Sequence, residues 1–183
     1  GEKFMIERIN IVGNNVTNDD VIRSEMLVDE GDPYSVLLIN KSINNLKARS
    51  IFGKVEHKLS VGSLPDLKVL EVSVDEKATG EISAGAGIGT NGTSFQFAIT
   101  ENNWLGKGIS VVSSLNLSAE SVSGGLLVNN PNYNYTGNSL FGSLNASTAD
   151  FLTTSGYATD KTSLSGGTTF EQYENIYFSP AFI

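Results

Sequence analysis

From Gly80 onward, apolar and small polar residues take turns along the chain. Ile82, Ala84, Ala86 and Ile88 are interleaved with Ser83, Gly85, Gly87 and Gly89. Phe95, Phe97 and Ile99 are interleaved with Gln96, Ala98 and Thr100. Ile109, Val111, Ser113, Leu115 and Leu117 are interleaved with Ser110, Val112, Ser114, Asn116 and Ser118. A period of two marks strands whose two faces differ in chemistry. Further strands are predicted around 122–129, 140–148, 160–169 and 176–183. Each is near the roughly 9–11 residues that a tilted strand needs to cross a bilayer.

Upstream, the pattern is mixed. Ile6, Ile9 and Ile11 lie in a β-prone run that ends at the turn cluster Gly13-Asn14-Asn15. Thr17 followed by Asp20 reads as a capping box opening a short helix with Val21, Ile22 and Met26 on its apolar face. Gly31-Asp32-Pro33 ends that helix. Ser35 can cap a second one, in which Val36, Ile39, Ile43 and Leu46 recur at spacings of three and four. Its last turn is basic, Lys47 and Arg49, as the helix dipole favours. Two more alternating runs, 55–61 and 67–74, are joined by Gly62-Ser63-Leu64-Pro65-Asp66. The predicted order is β-α-α-β-β.

Charge divides the chain at the same place. Residues 1–77 carry 10 Lys/Arg and 13 Asp/Glu, whereas residues 78–183 carry only 2 and 7. A segment so poor in charge, with Ser, Thr, Gly and Asn on its second face, fits strands with lipid on one side and a polar lumen on the other. A water-soluble sandwich would carry more Lys and Glu on its outer faces. Trp104, Tyr133, Tyr135, Tyr173 and Tyr177 fall at or near predicted strand ends, where a membrane barrel places its aromatic girdle. Two domains are therefore expected, 1–79 and 80–183. Both ends fall inside strand-like runs, so a piece of a longer protein is expected.

Several chemistries are unsupported. Neither half is the basic surface that nucleic-acid binding requires. The absence of cysteine excludes a disulfide framework, Cys-based zinc sites and thiol catalysis. His57, the only histidine, sits between Glu56 and Lys58 on a predicted hairpin strand and reads as a solvated edge residue. Asp29-Glu30-Gly31-Asp32 lacks the further acidic ligands of a calcium loop and reads as a turn. The glycines of Gly85-Ala86-Gly87-Ile88-Gly89 come at every second residue with no helix after them, so they mark a weak strand and not a phosphate loop. No catalytic, cofactor or metal residues are assigned.

The Gly13-Asn14 turn, the two helices, the step Ile51-Phe52-Gly53-Lys54-Val55 and the closing hairpin together resemble a POTRA domain. In such a domain Phe52 plugs the gap between the second helix and the sheet. Asn103-Trp104-Leu105-Gly106-Lys107-Gly108 and Asn129-Asn130-Pro131-Asn132-Tyr133 resemble turns of the outer-membrane β-barrel assembly factors, which join POTRA domains to a bacterial surface antigen barrel. The resemblance covers the whole chain. It implies an α+β POTRA domain at 1–79, the last and barrel-proximal one, in the periplasm. Residues 80–183 would be about six strands and the start of a seventh from a sixteen-stranded antiparallel transmembrane barrel in the bacterial outer membrane.

The function implied is folding and insertion of nascent outer-membrane β-barrel proteins, without catalysis or cofactor. Clients would pair with a weak first strand, Glu81, Ile82, Ser83, Ala84, Gly85, Ala86, Gly87, Ile88 and Gly89, at the barrel seam. Glu25 occupies the position of an acid that helps dock an accessory assembly lipoprotein in that family. Outer-membrane lipid is a further implied partner; nucleic acid is not. A two-partner secretion or TamA-like translocation pore of the same superfamily is the alternative, and a passive porin a more distant one.

Overall fold

The computed structural model describes residues 4–89, 92–152 and 156–183. Residues 1–3 of the first expected domain, and 90, 91 and 153–155 of the second, lie outside the described residues. The chain divides into two units, Gly1–Ala78 with Leu105–Gly108, and Thr79–Trp104 with Ile109–Ile183.

In the first unit the elements run β1 (Met5–Val12), α1 (Asp19–Arg23), α2 (Val36–Ala48), β2 (Phe52–Val61) and β3 (Leu67–Glu76). This is the predicted β-α-α-β-β order. The strand β3 is central, parallel to β1 and antiparallel to β2. Leu70, Val72 and Val74 point into the core while Glu71, Ser73 and Asp75 point out, the alternation a half-covered sheet demands. Ile39, Ile43 and Leu46 of α2 complete that core with Ile6, Ile9 and Phe52. Val36 does not join them; it lies in the first turn of α2 and is 53% exposed. Ser35 caps α2 as predicted, its hydroxyl accepting from the Leu38 amide at 3.4 Å. Ser42, buried among apolar neighbours, donates to the Leu38 carbonyl and accepts from the Leu27 amide, both at 2.8 Å. Each polar atom of that hydroxyl is satisfied, so its burial costs little.

The start of α1 departs from expectation. Its N-cap is Asn18, which makes no side-chain cap bond, and Thr17 is buried at 3% exposure. The reason is long-range: Glu76, at the end of β3, accepts from the amides of Asn15 and Val16 at 2.9 Å and of Thr17 at 2.6 Å. The helix also stops at Arg23, so Met26 lies beyond it. The Glu25 and Met26 amides bond three residues back, to the Ile22 and Arg23 carbonyls, which tightens the chain into a turn. Gly13 has φ +93°, and a Cβ there would lie 2.0 Å from the Val74 carbonyl oxygen, so only glycine fits.

Burial raises the pKa of Glu76, but the hydrogen bonds from Thr17, Val16 and Asn15 outweigh it and hold the carboxyl below its usual range. A lowered native pKa stabilises the fold above the unfolded value and loses that contribution as pH falls through the native one. Urea unfolding of residues 1–78 should therefore show stability falling below pH 4.5, the group's ordinary value. Glu76→Gln should flatten that dependence and cost about 1–2 kcal/mol at pH 7; an unchanged acid slope in the variant would contradict the assignment.

The second unit is a single antiparallel meander. Its strands are β4 (Gly80–Gly89), β5 (Gly92–Trp104), β6 (Ile109–Ser118), β7 (Ser121–Asn130), β8 (Ser139–Phe151), β9 (Tyr157–Tyr173), β10 (Ile176–Phe178) and β11 (Ala181–Phe182). Each pairs with its sequence neighbour from β4 through β10, and β11 also pairs with β9. The predicted strand 176–183 is thus split, because Pro180 has no N–H to give. Register is the same on both sides of the split, and the Thr168 amide still donates to the Pro180 carbonyl at 3.1 Å. The second strand is longer than the predicted 95–100.

Register puts the two chemistries on opposite faces. Ile82, Ile99, Ser113, Leu126, Leu144 and Leu164 form one row across six strands. Ala84, Phe97, Leu115, Gly124, Ala146 and Thr162 form the next row on that face. Between them, on the other face, run Ser83, Ala98, Ser114, Gly125, Asn145 and Ser163. Among the described residues nothing within this unit covers the apolar rows: Ile82 is 81% exposed and Leu164 63%. Trp104, Tyr133, Tyr135, Tyr173 and Tyr177 all lie at the end of the sheet where β4 begins.

Candidate functional site

The predicted pairing residues Glu81–Gly89 all fall within β4, which stands at the margin of its sheet. Among the described residues β4 has one strand partner, β5, in unbroken register from Gly80↔Glu101 to Gly89↔Gly92. Its other edge pairs with no strand among the described residues. Ile82, Ala84, Ala86 and Ile88 lie on the apolar face; Glu81, Ser83, Gly85 and Gly87 lie on the polar one.

Gly85 and Gly89 of β4 answer no steric demand. A Cβ at Gly85 or Gly89 would meet nothing within 4 Å, and at Gly87 only the Ser94 hydroxyl, 3.2 Å away. None of the three has a positive φ. What they do is remove side-chain packing and raise the entropy cost of ordering, roughly 0.5–1 kcal/mol each relative to alanine. The strand is weak at its far end by composition.

Its near end is held differently. The register between β5 and β6 shifts between Glu101 and Trp104, forming a bulge. There the Glu101 carboxylate accepts from the Thr79 hydroxyl and from the Asn103 amide, the latter at 2.7 Å. The Asn102 amide donates to the Thr79 carbonyl at 3.2 Å, and the Asn102 side chain is fixed by the Ser110 hydroxyl. Gly80 leaves room for the carboxylate: a Cβ there would approach Glu101 Oε2 to 3.2 Å. Sequence reading missed this cluster. Its one signal was a lone carboxylate at the base of an otherwise uncharged strand.

Glu25 lies in the turn after α1 and not on the helix, since α1 ends at Arg23. Its carboxylate pairs with Arg49 at 3.5 Å, and the two side chains are only 17% and 14% exposed. Arg49 also donates to the Gly108 carbonyl at 3.1 Å. His57 is an exposed residue of β2, opposite Val72. Glu30 is engaged by the Ile9 amide and Asp32 by the Asp29 amide. Among the described residues no cluster of three His, Cys, Asp or Glu is placed to hold a metal, and no helix is long and apolar enough to cross a membrane. A cavity of about 930 Å³ lies on the apolar face away from β4, where Gly142 and Gly166 leave a gap beside Leu140, Leu164 and Phe182.

Residues 4–77 match the POTRA family profile, described as surface antigen variable number repeat. The outer membrane protein assembly factor BamA of Neorickettsia risticii is 37% identical over 109 residues, 57% of this chain and 14% of that protein. BamA of Neisseria meningitidis is 28% identical over 142 residues, 76% of this chain and 18% of that protein. The crystal structure of Haemophilus ducreyi BamA lacking POTRA domains 1–3 superposes on 99% of this chain and 35% of its own, at TM-score 0.85 and 26% identity. The chain is similar to BamA along nearly its whole length. Residues 4–77 are its POTRA domain, and the amphipathic meander from Gly80 is the opening part of an outer-membrane-type β-barrel. CdiB from Escherichia coli, at 13% identity and TM-score 0.65 over 98% of this chain and 38% of its own, shares the fold. The chain spans less than a fifth of the length of these curated relatives.

Proposed function

We propose that this chain is the last POTRA domain (1–79) and first barrel strands (80–183) of a protein that folds and inserts β-barrel proteins into the bacterial outer membrane. Residues 80–183 would lie in the membrane and residues 1–79 in the periplasm. Within this reading β4 is the template for the client. The observation that supports it is the composition of the sheet's first strand, where Gly85 and Gly89 have no steric reason to be there.

The physics is that of an unpaired backbone in hydrocarbon. A client strand entering lipid exposes N–H and C=O groups that each cost several kcal/mol if left unsatisfied. An edge that is open, and cheap to open, supplies partners by strand addition. No nucleotide, metal or covalent step is needed, because the free energy comes from the client's own hydrogen bonding and burial. The edge strand β2 of the POTRA sheet can hold extended segments in the same way. The names of relatives at 28–37% identity favour assembly over a translocation pore or a porin. An accessory lipoprotein docking at Glu25 would meet it as a fixed pair with Arg49. Glu25→Gln in the full-length protein should then reduce lipoprotein co-purification; undiminished recovery removes Glu25 from the reading.

The test of templating is cysteine cross-linking in the full-length protein with a stalled barrel client. Cysteines at Gly85 and Gly87 should form client adducts, and one at Ser147, within the sheet on β8, should not. Adducts on interior strands with none on β4 would defeat the proposal.

A further inference from the structure

The apolar face of the second unit is interrupted on β8 and β9. Across it runs the row Val111, Val128, Gly142, Gly166 and Phe182, each residue opposite the next in register. Two adjacent members of that row are glycines, so it loses its side chains between Val128 and Phe182. The neighbouring pair Leu144 and Leu164 bounds the resulting notch on one side, and Leu140 bounds it on the other. Gly166 has a local reason to be glycine: a Cβ there would come within 3.0 Å of the Phe182 ring. Gly142 has none, since a Cβ would meet only the Ser165 carbonyl oxygen at 4.0 Å. Glycine weakens a strand interior, and it is used where a ligand or another backbone comes close. The notch is the cavity of about 930 Å³ described above, within the roughly 300–1,000 Å³ of small-molecule sites. Among the described residues no charged side chain lines it, and its polar end is formed by Asn130 and Tyr133. The hydroxyls in its wall are already engaged: Thr168 donates to the Ser139 carbonyl at 2.6 Å, and Ser165 pairs with Ser143 at 2.7 Å.

We propose that this notch seats one acyl chain of a phospholipid, which lies over Gly142 and Gly166 with its headgroup end beside Tyr133 and Asn130. The proposal rests on the membrane setting given above and not on the templating role of β4. The notch opens on the apolar face, the one that a transmembrane barrel turns to lipid. Further strands of a barrel join edge to edge and do not lie across its outer face, so lipid is what reaches the notch. A polar ligand or a peptide backbone would bury groups there without partners, whereas an acyl chain brings none. A chain seated between Leu140 and Leu164 gains dispersion contacts that one lying on the smooth rows lacks. The polar mouth lies at the end of the sheet that carries Trp104 and Tyr173, the depth at which an aromatic girdle meets headgroups. In the proposed topology that end is periplasmic, so the occupant comes from the inner leaflet.

The test is photolabelling of the full-length protein in phosphatidylethanolamine bilayers, some of whose lipid carries a diazirine midway along one acyl chain. Adducts are located by mass spectrometry. In the wild type Leu140, Leu144 and Leu164 should be labelled about threefold more than Ile99 and Leu115 on the same face, a ratio equivalent to ~0.6 kcal/mol. Gly142→Leu fills the notch from a position with open space above it and should abolish the excess. Ala146→Leu makes the same addition on the same face of β8 but outside the notch, and should leave the excess intact. Even labelling of the whole apolar face in the wild type would overturn the notch while leaving the membrane setting in place. So would an excess that survives Gly142→Leu, or one lost equally with Ala146→Leu. Notch residues labelled less than the rest of the face, as a protein segment lying there would cause, would overturn it too. No labelling anywhere on the apolar face would sink both the notch and the membrane setting.

Discussion

Leu164→Arg should prevent stable assembly in the bilayer, while Ser163→Arg, one residue away, should be tolerated. Leu164 belongs to the row Ile82–Ile99–Ser113–Leu126–Leu144, midway along β9, and Ser163 to the row of Ser83, Ser114 and Asn145 on the other face. An arginine at the lipid-facing midplane costs about 2–4 kcal/mol, whereas a lumen-facing one meets water and polar side chains. The readout is the fraction of full-length protein that resists urea extraction and unfolding in lipid. Equal tolerance, or equal damage, at the two positions would mean that the faces do not see different solvents.

The second large effect belongs to the POTRA core. Phe52 opens β2 at 5% exposure and belongs to the buried cluster that also holds Leu46, Val55 and Val74. Truncation to alanine removes the ring's burial and leaves a cavity, costing about 3–5 kcal/mol. For a domain of this size, total stability is on the order of 5–15 kcal/mol, so the variant should be marginal at 37 °C. Phe52→Leu keeps most of the apolar volume and should lose far less. Urea unfolding of residues 1–78 measures both, and a loss below about 1 kcal/mol for Phe52→Ala would mean the site collapses around the gap.

What the sequence made legible is what depends on near neighbours. The period-two pattern of 80–183 became rows on two faces because every connection from β4 to β10 joins adjacent strands, so local alternation fixes the register of the whole sheet. Ser35, Ile39, Ile43 and Leu46 read correctly for the same reason: cap and apolar stripe lie within one helix. Misreadings came where a distant residue intervened. Thr17 was a plausible cap until Glu76, 59 positions away, took its amide. Glu25 was placed on a helix that ends two residues earlier, where Ser24 donates its hydroxyl to the Val21 carbonyl and the chain tightens. The candidate strand β4 was visible from its glycines. The bond between Thr79 and Glu101 at its base was not, because 22 positions of chain separate them and only the β4–β5 pairing brings them together.

One face of this sheet is expected to meet lipid and the other water. The most direct measurement is a nitroxide scan of β8 from Leu140 to Thr148, one label at a time, in the full-length protein reconstituted in bilayers. Accessibility to oxygen should peak at Leu140, Gly142, Leu144 and Ala146, and accessibility to a water-soluble nickel chelate at Phe141, Ser143, Asn145 and Ser147. Accessibilities that rise and fall together along the strand, without that period of two, would contradict it.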